Sequence, residues 1–323
     1  MSMKNNKLFA IGEALIDFIP VQSGCPIKEV EEFKPAVGGA PANVCGAFTR
    51  LGGKSALITQ IGSDPFGDKI VDEFTSHGID CSYIRRTDKA NTSLAFVALE
   101  KDGNREFSFY RKPGADMLLD AKDVEKEWFE NVYALHFCSV SLGDFPMKEA
   151  HRQAIAYAKE QGALISFDPN IRLPLWDSPE ALRETILEFL PCADVIKISD
   201  EELEFITGKT TIREAAAQLF RGSTKLVVYT KGSHGSEAYT KTAVGCDPGR
   251  KVKAIDTTGA GDAFIGSFLY QLYENGITAD KLDGLTEEQL QKFLHFSNEY
   301  CARSVQKRGA IASYPTMKEM KEA

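Results

Sequence analysis

Asp256-Thr257-Thr258-Gly259-Ala260-Gly261-Asp262 runs directly into the apolar stretch Ala263–Tyr273. The spacing predicts a helix over Ala260–Tyr273. Three small residues at its start leave backbone N–H groups unshielded, and together with the helix dipole these make an anion site. Asp262 falls in the first turn beside that site. A carboxylate there suits a general base, which takes a hydroxyl proton next to a bound phosphoryl group. A capped helix with small residues for close packing explains the same string without a ligand. A dinucleotide fingerprint does not: its third glycine would fall at Phe264, and the stretch lies late in the chain. Walker loops fail too, because Phe48 and Leu203 stand where Gly53-Lys54-Ser55 and Gly208-Lys209-Thr210 would need a first glycine.

Outward from this helix the chain alternates. Strands are expected at Leu8–Ile11, Ser55–Ile61, Ala134–Val140, Ala163–Phe167, Asp194–Ile198 and Lys225–Thr230. Helices are expected at Pro41–Leu51, Pro65–His77, Lys148–Gln161, Pro179–Leu190, Glu201–Thr207 and Glu287–Ser304. Alternation of this kind means right-handed crossovers and a mostly parallel, doubly wound sheet in an α/β fold. With no linker or repeat in its 323 residues, the chain reads as one domain over 1–323. Two inserts, approximately 17–37 and 82–111, break the rhythm with consecutive strands such as Ser93–Leu99 and Arg105–Tyr110. They are expected to form a small β-sheet lid, the alternative being an extension of the main sheet.

Composition narrows the function. Hydrophobic residues make up 43% and charged residues 26%, which suits a globular core. A net charge of −8 argues against a nucleic-acid partner but leaves room for a local anion pocket. The seven cysteines include no CxxC pair and the five histidines no HxxxH, so a disulfide framework or zinc site is not expected. No apolar run is long enough for a membrane span. Glu13 and Asp17 interrupt the first apolar stretch, which argues against a signal peptide and for a cytoplasmic protein.

A second motif, Gly38-Gly39-Ala40-Pro41-Ala42-Asn43, enters a helix. Adjacent glycines admit a ligand close to the backbone, and Asn43 offers both a donor and an acceptor to a sugar hydroxyl. A plain loop-to-helix turn fits as well. Asp168-x-Asn170-x-Arg172 follows a buried strand, where open sheets bind ligands. Arg172 suits a bridge between phosphate and sugar, or else a surface ion pair.

Together, Gly38–Ala47 and Asp256–Asp262 resemble the N-terminal and C-terminal signatures of the ribokinase-like, or PfkB, carbohydrate kinases, and the resemblance runs from about residue 7 to 316. Phe109–Leu119, Asp168–Trp176 and Lys197–Asp200 are similar to the fructokinase branch. The resemblance implies an ATP-dependent sugar kinase, with fructose converted to fructose 6-phosphate as the leading activity. Kinases of 2-keto-3-deoxygluconate or ribose are the alternatives within the family, and a non-catalytic sugar-binding sensor is the alternative outside it.

The same resemblance implies roles for residues. Asp262 is the base, and Gly259, Ala260 and Gly261 form the anion hole. Asp17, Gly38, Gly39 and Asn43 hold the sugar, joined by Arg105 and Arg111 if these are not merely solvated charges. Asn170, Arg172, Ser199, Thr230, Gly232, Gly235 and Asn298 border the nucleotide. Ser199 departs from the family's asparagine. Glu202 orients magnesium through water, unless it is only one acid of an acidic helix start. Asp256, Thr258, Ser304, Gly309 and Ser313 match approximately the positions where many members hold potassium. A homodimer through the lid would cover its strand edges.

Overall fold

The computed structural model describes residues 6–22, 24–99 and 105–322. In chain order, β1 (Lys7–Ile11), β2 (Leu15–Pro20) and β3 (Phe33–Gly38) precede α1 (Ala40–Arg50), β4 (Ser55–Gly62), α2 (Pro65–Ser76) and β5 (Ile84–Thr87). Next come β6 (Ser93–Leu99), β7 (Arg105–Tyr110), β8 (Val132–Cys138), α3 (Met147–Glu160), β9 (Leu164–Asp168) and α4 (Pro179–Phe189). They are followed by β10 (Val195–Ser199), α5 (Asp200–Thr207), α6 (Ile212–Leu219), β11 (Leu226–Thr230), β12 (Ser236–Tyr239) and β13 (Val244–Asp247). The helices α7 (Ala260–Glu274), α8 (Glu287–Ser304) and α9 (Met317–Lys321) close the chain.

Nine strands form the main sheet, in the order β13-β12-β11-β10-β9-β8-β1-β4-β5. Pairing is parallel from β11 to β5, and β12 and β13 extend one edge antiparallel. Period-two alternation sends neighbouring side chains to opposite faces. Leu8, Ala10, Leu57, Ala134 and Val195 meet one core with α1, α7 and α8, whereas Phe9, Ile11, Ile58, Leu135 and Ile196 meet the other with α3 to α6. Both faces are covered, which is why β4 and β8 are buried at every position. Helices α1 and α7 touch closely. A Cβ on Gly266 of α7 would lie 2.7 Å from the Ala47 Cβ of α1.

Four strands build a separate, smaller sheet in the order β3-β2-β6-β7. The expected inserts are corrected in one respect. Residues 84–87 of the second insert are β5, which pairs in parallel with β4 in the main sheet. The β4-α2-β5 unit is an ordinary crossover, but its last strand is short and carries Arg85 and Arg86, so it lacks the apolar run of a central strand. Helix α6 and strands β12 and β13 were not anticipated. The two strands are short with mixed burial, and β13 forms the edge.

Candidate active site

The strand order reverses at β1, which lies between β4 and β8. In open α/β sheets ligands bind at such a point, beyond the carboxyl ends of the strands. A cavity of about 950 Å³ opens there. The main body lines it with Glu13, Gly39, Asn43, Asp168, Asn170, Arg172, Lys197, Glu202 and Gly259–Asp262. The small sheet lines it with Asp17, Ile19, Ala36, Val97, Phe107 and Phe109.

Asp262 sits in the first turn of α7 and is buried. Asn43, in the first turns of α1, donates through Nδ2 to Asp262 Oδ2 at 2.8 Å. Asn170 donates through Nδ2 to Oδ1 at 3.5 Å. Its backbone is left-handed, with φ of 45°, a conformation asparagine tolerates better than most side chains. Asp168 supports that turn, accepting from the Asn170 N–H at 3.2 Å. Burial raises the Asp262 carboxyl above its ordinary range, while Asn43, Arg172 and Lys197 pull it back. The Oδ1 atom of Asn43 is buried with no hydrogen-bond partner among the described residues. A buried acceptor is costly unless satisfied, so this atom is suited to a ligand hydroxyl.

Beside the start of α7 lies an ionic cluster. Lys197 Nζ is 3.2 Å from Asp168 Oδ1, 3.1 Å from Oδ2 and 3.9 Å from Glu202 Oε2. It also lies 3.4 Å from where a Cβ on Gly261 would stand. Burial alone would lower the lysine, but Asp168 and Glu202 hold it well above its ordinary value. Burial pushes Asp168 up against the pull of Lys197. Glu202 accepts from the Ser199 N–H at 2.8 Å and the Ile171 N–H at 3.1 Å. It thereby joins the start of α5 to the loop after β9.

The loop before α7 is fixed by Asp256. Its Oδ1 accepts from Thr258 N and Oγ1 at 2.9 and 2.7 Å, and its Oδ2 accepts from Gly309 N at 2.9 Å. Gly259 then turns the chain with φ of 71°, and Tyr314 Oη donates to its carbonyl at 2.8 Å. The N–H groups of Gly261 and Asp262 follow, in a first turn that offers no intrahelical acceptor. A Cβ on Gly259 would lie 2.5 Å from Tyr314 Oη. Gly259→Ala is expected to cost about 1–3 kcal/mol of stability through backbone strain and to lower turnover more than it lowers substrate affinity. Thermal melting and steady-state kinetics check this. Unchanged melting and turnover would remove the strained turn from the machinery.

Residues 5–317 match the model of the pfkB family of carbohydrate kinases. The chain belongs to that family. This pfkB kinase is 43% identical over 308 residues to probable fructokinase-2 of Arabidopsis thaliana, covering 95% of this chain and 92% of the relative. It is 42% identical over 313 residues to fructokinase-2 of Solanum lycopersicum, covering 97% and 94%. Fructokinase of Xylella fastidiosa, solved with bound ATP, superposes with a TM-score of 0.90 at 34% identity, covering 100% of this chain and 98% of that one. Fructokinase of Vibrio cholerae O395, solved with fructose, ADP and calcium, gives 0.85 at 33%, covering 100% and 99%. The ribokinase-like α/β fold, a mostly parallel sheet flanked by helices with a smaller sheet beside it, is thus the fold of this pfkB kinase.

Of the residues singled out from the sequence, Asp17, Gly39, Asn43, Asn170, Arg172, Glu202, Asp256, Thr258, Gly259, Ala260, Gly261, Gly309 and Asp262 converge on the cavity. Gly38 lies against the Asp17 carboxylate. Arg111 does not converge. It is 6% exposed and locked onto Asp116, so it is neither a sugar contact nor a solvated charge. Arg105 opens β7, and its side chain lies outside the described residues. Ser199 is a helix cap, its Oγ accepting from Glu202 N at 3.2 Å in a reciprocal capping box. Asn298 donates to Ser236 Oγ at 2.9 Å and Asp247 Oδ1 at 2.7 Å, apart from the cavity lining. Thr230, Gly232 and Gly235 sit at and after the end of β11, likewise outside that lining. Ser304 and Ser313 donate to the Cys301 and Ala310 carbonyls. Sequence reasoning gave no site role to Glu13 or Lys197, and named Asp168 only as the head of the Asp168-x-Asn170-x-Arg172 motif. A charged residue inside a buried strand, Lys197, and acids at or just beyond buried strand ends, Asp168 and Glu13, were the available signal.

Proposed function

We propose that the chain is an ATP-dependent fructokinase that transfers the γ-phosphoryl group to the primary hydroxyl of D-fructose, giving fructose 6-phosphate. One observation carries the chemistry: Asp262 is held by Asn43 and Asn170 beside the free-ended first turn of α7. Asp262 takes the hydroxyl proton. The Gly259–Gly261 turn presents fixed N–H dipoles to the charge that spreads over the phosphoryl oxygens, where preorganised donors lower the barrier without reorganising. Arg172, at the exposed mouth, steers the nucleotide phosphates. A base and an anion hole are features that mere binding does not require, which disfavours a sensor.

The neutral sugar follows from the wall around Asn43. Glu13 and Asp17 line it. An acid such as 2-keto-3-deoxygluconate would want Arg105, Arg111 and Arg172 converging on one point; Arg172 lines the cavity, but Arg111 is taken by Asp116. Asp17, Gly39 and the Asn43 carbonyl suit hydroxyl donors. The identities to named fructokinases point the same way.

Asp168 and Glu202 outnumber Lys197, leaving a negative wall that fits a magnesium ion brought by the nucleotide. Glu202, with Asp168, would hold it through water, and when bound it draws charge from the phosphate oxygens. No cluster of three or more metal-ligating His, Cys, Asp or Glu side chains occurs among the described residues. Potassium would be held at the Asp256–Gly309 junction with Thr258, Ser304 and Ser313, stiffening the anion hole. The nucleotide base would lie toward Thr230, Gly232, Gly235 and Asn298. A homodimer through the small sheet would cover its edge strands β3 and β7. The seven cysteines are free thiols, in keeping with a cytoplasmic compartment. No helix among the described residues is long and apolar enough to cross a membrane.

The test is ADP release with MgATP and fructose, ribose, 2-keto-3-deoxygluconate or no sugar, in potassium and in sodium buffer. Release with fructose far above the others is expected. Stronger release with another substrate would overturn the fructose assignment, and release with none would overturn it too, in favour of an untested sugar or the sensor.

A further inference from the structure

All four strands of the small sheet enter or leave the main body beside one buried polar chain. β2 begins two residues after Glu13, β3 ends two residues before Ala40, β6 begins at Ser93, and β7 ends one residue before Arg111. These four points are far apart in sequence. In the fold they are linked group by group. Ser93 Oγ donates to one oxygen of Asp116. Arg111 donates to the other through Nε, at 2.8 Å, and through Nη2. The same guanidinium reaches the Val140 carbonyl at 3.2 Å and Ser141 Oγ at 3.4 Å. Ser141 Oγ then donates to Glu13 Oε2 at 2.9 Å, and Glu13 Oε1 accepts from Ala40 N at 3.1 Å. Ser93, Arg111, Asp116, Ser141 and Glu13 are each at most 6% exposed.

We propose that Arg111 and Asp116 are positioning residues for the sugar site, because their buried pair anchors the root of the small sheet and, through Ser141 and Glu13, sets the Gly39–Ala40 turn. That turn opens α1 and places Asn43 against Asp262. The small sheet supplies the opposite wall of the same cavity, including Asp17. One buried network therefore fixes the spacing of both walls around the ligand. A planar, five-donor guanidinium is suited to this task, since it ties several acceptors in fixed directions. Low local dielectric makes the fully satisfied chain stiff and a broken one costly. The substrate class rests on the fructokinase reading; the anchoring does not.

Two measurements on Asp116→Asn and Ser141→Ala separate these points. In hydrogen–deuterium exchange without ligand, β2, β3, β6 and β7 are expected to exchange faster together, while β8 to β11 keep the protection of the unaltered protein. In steady-state assays with the sugar the unaltered enzyme phosphorylates, the sugar KM is expected to rise about 10- to 100-fold for Asp116→Asn, the scale of a misplaced binding group, with the ATP KM within about twofold. Ser141→Ala removes a single hydroxyl and is expected to show the same pattern at a smaller scale. It decides the matter if Asp116→Asn fails to fold. Faster exchange confined to residues 111–118, or sugar and ATP KM values that rise together, would overturn the proposal. If the unaltered enzyme phosphorylates no sugar, the fructokinase reading falls and the exchange pattern still decides the anchoring.

Discussion

Asp262→Asn is expected to lower turnover by roughly 10²- to 10⁴-fold, the usual worth of a general base. The amide keeps the size of the carboxylate and retains an oxygen to accept from Asn43, so folding and sugar affinity should change little. What it loses is the capacity to take the hydroxyl proton. A melting curve that overlays the unaltered protein, with kcat collapsed and the sugar KM preserved, is the expected pattern. A folded variant with near-normal turnover would mean that the proton leaves by another route. Asp168, buried nearby and pushed above its ordinary range, would then be the first residue to examine.

Lys197→Met is expected to damage both stability and rate. The lysine is the cation in contact with Asp168 and Glu202, and both carboxylates are buried. Removing one partner of a buried pair typically costs about 3–5 kcal/mol, because the charge left behind is uncompensated. The effect on rate has a definite sign. Lys197 is among the groups that pull Asp262 downward. Without it the Asp262 pKa rises further, and the base, which works as a carboxylate, is ionised only at higher pH. The acid limb of the kcat/KM profile should therefore move upward, with activity at acidic pH lost first. Lys197→Arg should restore part of the stability. Melting temperatures and pH profiles of the two variants decide this, and an unmoved limb in a folded Lys197→Met protein would refute the electrostatic role.

The geometry of the two glycine motifs was legible because it is set by contiguous backbone. A positive-φ turn and the exposed amides after it are written in Gly259-Ala260-Gly261 itself, and Asp262 rides on the same turn. The pairing of Lys197 with Asp168 was not legible, because neighbouring strands bring the two together. Phe167 pairs with Ile196 in the β9–β10 register, so the next residues, Asp168 and Lys197, stand side by side although 29 residues apart in sequence. Arg111 was misread for a related reason. A hairpin arginine looks exposed until Asp116, five residues later, folds back on it. β5 was misassigned because edge strands with arginines do not announce which sheet they join.

The seam between α1 and α7 has a wider bearing. Asn43 and Asp262 ride on these two helices, and Gly266 lets the helices close to within a methyl group's reach of Ala47. The interval between the Asn43 amide and the Asp262 carboxylate, the sugar contact and the proton acceptor of the proposed reaction, is thus gauged by a dry contact one turn behind them. The seam acts as a caliper. A bulkier residue in it would prise the jaws apart while leaving every reactive group intact, so loss of catalysis in this enzyme can originate where no chemistry occurs.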